Sequence, residues 1–409
     1  MPHNPDLYQA LCDRIHQSPH QRITFAEFME LALYHPQGGY YTTKEAILGF
    51  EGDFVTSAHL GHDFGELLAT QLAEMWQHLG RPDPFALVEM GAGQGLIAAD
   101  VLGALQNHAP DCFAVLNYQI VEKSDRLRAA QQDRLTPWGG RVTWVTLDAL
   151  PGDSITGCCF SNELVDALPV HQVVITASGL QEVYVTLADG SAAPLQEVPL
   201  QEVPLQEVPL QEVIDAPSTP RLADYFGFVG IDLADPQYAP GYRTEVHLAA
   251  LDWMKTVAAK LHRGYVLTVD YGYPASRYYS RARAQGTLQC YYHQAHHDDP
   301  YSHLGYQDIT AHVNFTGLER QGDHCGLETL GATQQAMFLM SLGLGDRLAA
   351  LGQIQASDTA TVNLAIQRRD QLHQLINPMG LGNFVVLVQG KGLTADAKVL
   401  KGLTVPPLM

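Results

Sequence analysis

The sequence is poor in charged side chains, and in basic ones most of all. Of its 409 residues, 17% are charged, and 24 Lys and Arg stand against 44 Asp and Glu, a formal net charge of −20. A nucleic-acid interface needs clustered Lys and Arg, so the composition argues against a nucleic-acid partner. The low charge does not indicate disorder, because 46% of the residues are hydrophobic.

Cysteine pairs and long apolar runs are missing as well. The six cysteines form no CxxC pair, which argues against a zinc knuckle or a dithiol redox motif and fits buried, reduced thiols. No apolar stretch approaches the ~20 residues of a membrane-spanning helix. The N-terminus has neither a secretory signal nor a transit-peptide pattern. We therefore expect a cytoplasmic bacterial protein with no membrane insertion.

The acidic excess lies almost entirely in the first 220 residues. This part carries 28 Asp and Glu but only 9 Lys and Arg, whereas residues 221–409 carry 16 and 15. One interpretation is that the charge keeps the protein soluble. The other is that the acidic half surrounds a cleft for a cationic partner.

Short apolar segments alternate with helical patterns, which is typical of a parallel α/β sheet covered on both faces. Thr24 and Glu27 form a capping box at the start of the first helix. Residues 170–190 alternate apolar and polar side chains, which predicts antiparallel strands. The main predicted strands are 85–90, 118–122, 141–145, 157–161, 264–270 and 383–388, and the main predicted helices are 23–34, 61–78, 96–107 and 244–261.

A pentapeptide repeat occupies residues 195–213. The unit LQEVP occurs three times and is followed by a truncated fourth copy. A proline at every fifth position excludes a helix and a central strand. We interpret the repeat as an extended, mobile loop expansion with no catalytic role.

A glycine-rich loop, EMGAGQG at 89–95, joins the strand predicted at 85–90 to the next helix. Gly91, Gly93 and Gly95 let the backbone turn sharply and approach a ligand closely. The third glycine falls one residue too early for a dinucleotide fingerprint, and Glu89 would repel a diphosphate. S-adenosylmethionine (SAM) has a sulfonium, an ammonium and no phosphate, and so it fits this loop better. A tight turn without a ligand is the alternative.

Two further acidic residues follow successive predicted strands. Glu122 is placed to accept hydrogen bonds from both hydroxyls of a ribose, and Asp148 to hold the amino group of an adenine. Either residue alone could be a solvated strand end. With Glu89 they make three acids at successive strand ends, where ligands of such sheets bind.

The glycine loop is one of several distinctive blocks along the chain. They are ITFAEFMELALYHPQGGYY (23–41), GDFVTS (52–57), FGE (64–66), EMGAGQG (89–95), VEKSDRLRAAQ (121–131), SNELVDALPVHQ (161–172), VDYGY (269–273) and GTLQCYYHQAHHDDPYSHLGYQDITAHVNF (286–315). In these blocks the chain resembles the MidA-like SAM-dependent methyltransferases, a family that includes a mitochondrial complex I assembly factor and arginine methyltransferase. The chain has Ser57-Ala58-His59 where the family pattern has Ser-Pro-Glu, and the LQEVP repeat has no family counterpart.

The resemblance implies a class I SAM-methyltransferase fold, an α/β structure with a Rossmann-like, mostly parallel seven-stranded sheet and helices on both faces. An N-terminal helical segment and inserted substrate-binding elements complete it. The expected segments are an N-terminal helical lid (1–80), the SAM-binding core (81–170 and 241–275), a β insertion that contains the repeat (171–240), a Tyr- and His-rich insertion (276–330), and C-terminal helices with a final strand (331–409).

The resemblance also implies methyl transfer from SAM to a guanidinium nitrogen of a protein arginine, with a complex I or related NADH dehydrogenase subunit as substrate. Carboxylates can orient a guanidinium and accept its proton. We expect Glu163 to be the principal clamp, Asn162 a polar positioner and Asp166 a further catalytic residue. Asp166 could instead be a favourable charge at a helix N-terminus.

Residues of the GDFVTS block are expected to form a lid over the cofactor, namely Gly52, Asp53, Phe54, Thr56 and Ser57. The histidines between 293 and 312 suggest a substrate groove more than a metal site, and no metal is expected. Two alternatives stay open, a SAM-binding assembly factor without turnover and another α/β nucleotide-dependent enzyme. A homodimer is one of the assemblies that the sequence allows.

Overall fold

The computed structural model of the protein describes residues 3–43, 56–188, 208–353 and 359–404. Contacts within the chain group it into two compact units. We call the first the antiparallel unit and the second the parallel unit, after their main sheets. The antiparallel unit comprises residues 1–46, 167–250 and 274–312, and the parallel unit comprises 47–166, 251–273 and 313–409. The five segments expected from the sequence have different bounds from these two units and stay a prediction.

The α-helices of the described residues are α1 Pro5–Gln17, α2 Phe25–Tyr34, α3 Asp63–His78, α4 Leu96–His108, α5 Pro110–Ala114, α6 Asp125–Arg134, α7 Arg221–Val229, α8 Leu248–Lys260, α9 Ala275–Tyr278, α10 Phe315–His324, α11 Gln335–Leu342, α12 Leu344–Gly352 and α13 Thr359–Leu375. None of them is long and apolar enough to cross a membrane.

The strands of the described residues are β1 Ile23–Thr24, β2 Phe85–Met90, β3 Leu116–Val121, β4 Val142–Val145, β5 Ile155–Asn162, β6 His171–Thr176, β7 Gly179–Leu187, β8 Leu210–Asp215, β9 Arg243–Val246, β10 Leu261–Asp270, β11 Gly272–Tyr273, β12 Gln289–Tyr292, β13 Ala295–His297, β14 Asp308–Thr310, β15 Val313–Asn314, β16 Glu328–Gln334 and β17 Val385–Lys391.

The parallel unit is built on a seven-stranded sheet with the order β16-β17-β10-β5-β2-β3-β4. Strands β10, β5, β2, β3 and β4 pair in parallel, and β17 is antiparallel to both of its neighbours. This is the mostly parallel sheet expected from the sequence. The carboxyl ends of five consecutive parallel strands therefore lie along one edge, where ligands of open α/β sheets bind.

The core of the parallel unit fixes that sheet. All six residues of β2 are buried, as expected for a strand covered on both faces. Leu87, Phe160 and Leu267 of the sheet join one buried cluster with Leu68 of α3 and Val101 of α4. Burying a side chain of this kind contributes roughly 1.5–3 kcal/mol. The strand ends that carry the candidate site thus extend from a well-packed support.

The antiparallel unit contains a sheet with the order β1-β7-β6-β9, with β8 paired to β7. Strands β6 and β7 confirm the antiparallel structure predicted from the alternation at 170–190. The capping box before α2 is also confirmed, since Glu27 N donates to Thr24 Oγ1 at 3.1 Å and Thr24 N to Glu27 Oε2 at 3.3 Å. A second, three-stranded sheet has the order β13-β12-β14.

Two predictions about secondary structure were wrong. The helix expected from residue 244 begins only at Leu248, because residues 243–246 form β9 and pair with β6, Thr244 opposite Val173. Part of the repeat is a strand and not a loop, since Leu210–Asp215 pairs with β7, Val213 opposite Tyr184. The fourth copy continues with isoleucine where the others have proline, and its backbone can therefore donate along the whole strand. Residues 195–207 of the repeat lie outside the described residues.

Candidate active site

The glycine loop between β2 and α4 requires its glycines. Gly91, Gly93 and Gly95 have φ angles of 72°, 53° and 76°, in the left-handed region that other residues rarely adopt. A Cβ atom on Gly91 would lie 2.8 Å from the Leu164 side chain. At Gly93 a Cβ would meet no described atom within 4 Å. The loop is therefore supported at Gly91 and open at Gly93, where a ligand can approach its backbone.

Glu89 lies on β2 just before this loop and is 3% exposed. Its Oε2 accepts a hydrogen bond of 2.7 Å from the Tyr118 hydroxyl. Burial, together with the nearby negative charges of Glu122 and Asp100, raises the pKa of Glu89 to about 7. A buried acid of this kind is stabilised in its ionised form by a cation, and it is destabilised further by an anionic ligand.

Glu122 follows the last residue of β3, and both of its carboxylate oxygens are held. Oε1 accepts from the backbone N of Ser124 at 2.9 Å and Oε2 from Gln131 Nε2 at 3.1 Å. Burial raises its pKa. Each carboxylate oxygen has two acceptor sites, so both keep capacity for a further donor. This is the arrangement that two ribose hydroxyls require.

Asp148 lies in the turn after β4 with its side chain exposed. Its backbone oxygen accepts from Lys260 Nζ at 3.3 Å. The structure thus places this residue beyond the third parallel strand, as the sequence predicted, but shows no contact of its carboxylate with Glu89 or Glu122. Its role at an adenine stays a prediction.

Glu163 follows β5 directly and has a φ angle of 53°, which is rare for a residue with a side chain. Its backbone N donates to Val269 O of β10 at 2.9 Å and so holds this conformation. Its Oε1 accepts from Asn162 Nδ2 at 3.0 Å and from the backbone N of Ser57 at 3.3 Å. Asn162 Oδ1 is buried and has no hydrogen-bond partner among the described atoms. Non-glycine residues held in this region cost of order 1–3 kcal/mol and concentrate at functional sites.

Two further carboxylates lie beside Glu163. Asp166 is 6% exposed, and Asp270, the last residue of β10, is 0% exposed. Asp270 Oδ2 accepts from the backbone N of Val165 at 2.9 Å and of Asp166 at 3.3 Å. Burial and the charge of Asp166 raise the pKa of Glu163 to about 8. Burial, Asp166 and Glu163 raise the pKa of Asp270 well above its ordinary range.

The described part of the GDFVTS block approaches Glu163. Thr56 precedes the short 3-10 helix Ser57–Leu60; its backbone N donates to His59 Nδ1 at 3.2 Å, and its Oγ1 lies 2.8 Å from the same nitrogen. Ser57, 0% exposed, donates its backbone N to Glu163 as given above and its Oγ to Gln335 Oε1 at 3.1 Å. Gly52, Asp53 and Phe54 lie outside the described residues. Contact of Thr56 and Ser57 with the cofactor stays a prediction.

Gln131 and Gln335 are the polar residues that sequence reasoning missed. Both are 0% exposed. Gln131 contacts Glu122 and the glycine loop, and Gln335 supports Ser57 while its Nε2 donates to Leu375 O at 3.0 Å. Gln131 lies inside the VEKSDRLRAAQ block, which was the available signal. Gln335 stands outside every recognised block.

These features fit SAM. The loop is open at Gly93, Glu89 favours a cation, Glu122 offers two oriented acceptors, and the orphaned Asn162 oxygen lies next to Glu163. All of them belong to the parallel unit. For a metal, the described residues contain no group of three or more His, Cys, Asp or Glu side chains that could hold an ion.

Comparison with known proteins agrees with this chemistry. A family model described as S-adenosyl-L-methionine-dependent methyltransferase matches residues 67–333. A Burkholderia thailandensis protein, crystallised with S-adenosyl-homocysteine bound, is 31% identical, covers 98% of this chain and 97% of its own, and superposes with a TM-score of 0.80.

Two curated relatives have more specific names. The Drosophila melanogaster relative is named protein arginine methyltransferase NDUFAF7 homolog, mitochondrial, and is 28% identical over 80% of this chain and 73% of its own length. The human protein arginine methyltransferase NDUFAF7, mitochondrial, is 27% identical over 90% of this chain and 80% of its own length. The chain thus belongs to a family of S-adenosyl-L-methionine-dependent methyltransferases, and S-adenosylmethionine is its cofactor.

Proposed function

We propose that this methyltransferase modifies a guanidinium nitrogen of arginine in a protein substrate. The observation that carries the proposal is the group of carboxylates at the ends of β5 and β10. Asp166 raises the pKa of Glu163, and Asp166 and Glu163 together raise the pKa of Asp270. The described hydrogen bonds that Glu163 and Asp270 accept come from neutral amide and backbone N–H donors. A guanidinium stabilises the ionised form of such buried carboxylates and matches a carboxylate with two parallel hydrogen bonds.

The names of the relatives support the same substrate class. The Drosophila and human proteins are named protein arginine methyltransferases. The narrower expectation of a complex I or NADH dehydrogenase subunit comes from the family resemblance, and we propose it only as the first protein to try. A cytoplasmic location and a homodimer likewise stay predictions.

The residues around Glu163 can perform the proton chemistry of this reaction. SAM, held by the glycine loop and Glu122, supplies an electrophilic methyl group. The attacking guanidinium nitrogen must be oriented and must lose one proton, because its unperturbed pKa is above ~12. The Glu163 carboxylate, oriented by Asn162 and Ser57, accepts hydrogen bonds from the guanidinium and then that proton.

The raised pKa of Glu163 suits this role. With a pKa of about 8 it is mostly protonated at neutral pH in the ligand-free protein. An incoming guanidinium stabilises the ionised form, so that the carboxyl group releases its proton as the substrate binds. A carboxylate whose pKa remains near neutrality is then able to accept a proton from the methylated nitrogen.

Substitution of Glu163 tests the proposal. We expect Glu163→Gln to lower methyl transfer to arginine-containing peptides by about 100- to 1,000-fold, because it removes the clamp and the proton acceptor. SAM affinity should stay within about threefold of the wild type. The measurement is incorporation of labelled methyl from SAM into a peptide library, with affinity from calorimetry.

Two controls make the result specific. Asp111→Asn neutralises an exposed carboxylate on α5, and it should leave transfer unchanged. A library with every arginine replaced by lysine should accept no methyl. Equal labelling of both libraries would refute the arginine assignment, and full activity of Glu163→Gln would refute the role of Glu163.

A further inference from the structure

Gln131 connects three parts of the cofactor site. It lies on α6, is 0% exposed, and uses every hydrogen-bonding group of its side chain. Its Nε2 donates to Gly93 O at 2.8 Å and to Glu122 Oε2 at 3.1 Å. Its Oε1 accepts from Trp144 Nε1 of β4 at 2.9 Å. One side chain thus contacts segments at the ends of β2, β3 and β4.

The contacts with Gly93 and Glu122 are the informative ones. Gly93 is the loop position that is open to a ligand, and Glu122 is the acid predicted to bind the ribose. Gln131 fixes the backbone of the first and one oxygen of the second, while Ser124 N fixes the other oxygen. An amide is the required group, because Nε2 gives two N–H donors and leaves Oε1 as the acceptor for Trp144.

Other residues of α6 reinforce the same loop and strand end. Arg134 Nε donates to Gln94 O at 2.9 Å, and Arg128 donates through an amino group to Glu122 O at 3.0 Å. With Gln131 they stand at positions i, i+3 and i+6, which share one face of a helix. The Gln131 side chain also packs on the loop, since a Cβ on Gly95 would lie 3.3 Å from its Cγ.

We propose that Gln131 is a positioning residue for SAM, which acts by holding the Glu122 carboxylate and the Gly93 backbone in their ligand-binding arrangement. It need not contact the cofactor itself. Removal of the amide leaves Glu122 free to rotate and loosens the loop, so affinity for SAM falls. The proposal concerns cofactor binding only and does not depend on which group accepts the methyl.

The test is the dissociation constant of SAM, measured by calorimetry, alongside thermal unfolding without ligand. Gln131→Met keeps the length of the side chain but removes its hydrogen bonds, and we expect SAM to bind roughly 10- to 100-fold more weakly. Gln131→Glu should weaken binding further, because it places a second negative charge against Glu122. Trp144→Phe removes only the donor that orients the amide, and its effect should be the smallest, about threefold.

A matched control is available at Gln106. Its Oε1 accepts from Trp138 Nε1 at 3.0 Å, an equivalent Gln–Trp hydrogen bond at an exposed position outside the loop. Gln106→Met should leave the dissociation constant of SAM within about twofold of the wild type. An equal loss of affinity in Gln106→Met would overturn the proposal.

A double-mutant cycle separates positioning from a purely structural role. In a Glu122→Gln background the effect of Gln131→Met on SAM affinity should shrink, because the residue through which Gln131 acts has already been changed. Full additivity of the two substitutions, or a lowered unfolding temperature in Gln131→Met with unchanged SAM affinity, would each show that Gln131 merely supports the fold. Should Gln131→Met fail to fold, Trp144→Phe in the same two backgrounds decides the question.

Discussion

Both units bury acidic side chains, but they surround them differently. In the antiparallel unit Glu245 is 1% exposed and accepts hydrogen bonds from the Tyr278 hydroxyl and from the backbone N and Oγ1 of Thr287. In the parallel unit Glu163 accepts only from Ser57 N and Asn162 Nδ2 among the described partners, and it has Asp166 and Asp270 as neighbours. Burial raises both pKa values, to about 8 for Glu163.

The difference separates two uses of a buried carboxylate. Glu245 accepts hydrogen bonds from neutral donors, and these bonds connect β9 to the segment around Thr287 without any ligand. Glu163 has two neutral donors but also the acidic neighbours Asp166 and Asp270, so a bound cation stabilises its ionised form. Perturbed pKa values occur at both structural and functional sites. The composition of the surroundings, and not the pKa alone, therefore distinguishes the catalytic candidate.

The same substitution at the two positions should have opposite consequences for stability. Glu245→Gln turns one acceptor into a donor that faces Thr287 and Tyr278, and we expect it to lower the free energy of unfolding by about 2–3 kcal/mol. Glu163→Gln removes repulsion from Asp166 and Asp270, so the free energy of unfolding should stay unchanged or rise. Urea denaturation of both variants measures this. Equal destabilisation by Glu245→Gln and Glu163→Gln would contradict the proposed difference between the two carboxylates.

The pH dependence of stability should reflect the acids of the parallel unit. Glu163 and Glu89 have folded-state pKa values of about 8 and about 7, above the ordinary 4.5. Their contribution to stability is fully present below the unfolded pKa and is lost as the pH rises through the folded values. The free energy of unfolding of the ligand-free protein should therefore fall as the pH rises from 4.5 towards 8, measured by urea denaturation at each pH.

Glu163→Gln provides the control for that profile. The variant should show a shallower decline between pH 4.5 and about 7, where Glu89 still contributes, and should lose the decline between about 7 and about 8, which Glu163 alone of the two supplies. A profile identical to that of the wild type would mean that Glu163 does not titrate in this range. An increase in stability across the same range in the wild type would contradict both assignments.

The smallest effect is expected from shortening the repeat. Deletion of residues 195–209 removes three full LQEVP copies, keeps β8 complete and leaves Pro194 before Leu210. If residues 195–209 are only a loop expansion, SAM affinity should not change, and a shorter connection between β7 and β8 should raise the free energy of unfolding by about 1 kcal/mol. Calorimetry with SAM and urea denaturation measure both. A large loss of SAM affinity or of unfolding free energy would show that the repeat contributes to cofactor binding or to stability.

Much of the parallel unit could be predicted from the sequence because its signals are local. The apolar run 85–90 is preceded by prolines and followed by glycines, and β2 has those same bounds. The same holds in the antiparallel unit for Thr24 and Glu27, which are close enough in sequence to identify a cap without knowledge of the fold. The glycine loop and the acids after successive strands likewise pointed to SAM before the strand order was known.

The missed features depend on pairs that are distant in sequence. The local sequence predicts that Thr244 is helical, and only its pairing with Val173 of β6 shows that it lies in a strand. Ser57 is 106 residues from Glu163, and Gln335 is 278 residues from Ser57. No local pattern marks such pairs, because their proximity results from how the strands and helices pack.

The sequence by itself determined the class of fold, the cofactor and the identity of the acids at the strand ends, because strand patterns, glycine turns and family blocks are local patterns of neighbouring residues. Only the tertiary structure decided how those acids differ. In the folded protein Glu245 accepts hydrogen bonds from several neutral donors, whereas Glu163 lies near other carboxylates. Gln131 lies between Glu122 and Gly93 and contacts both. Burial and neighbouring charge set the chemistry of a carboxylate, and both arise only when distant segments pack together.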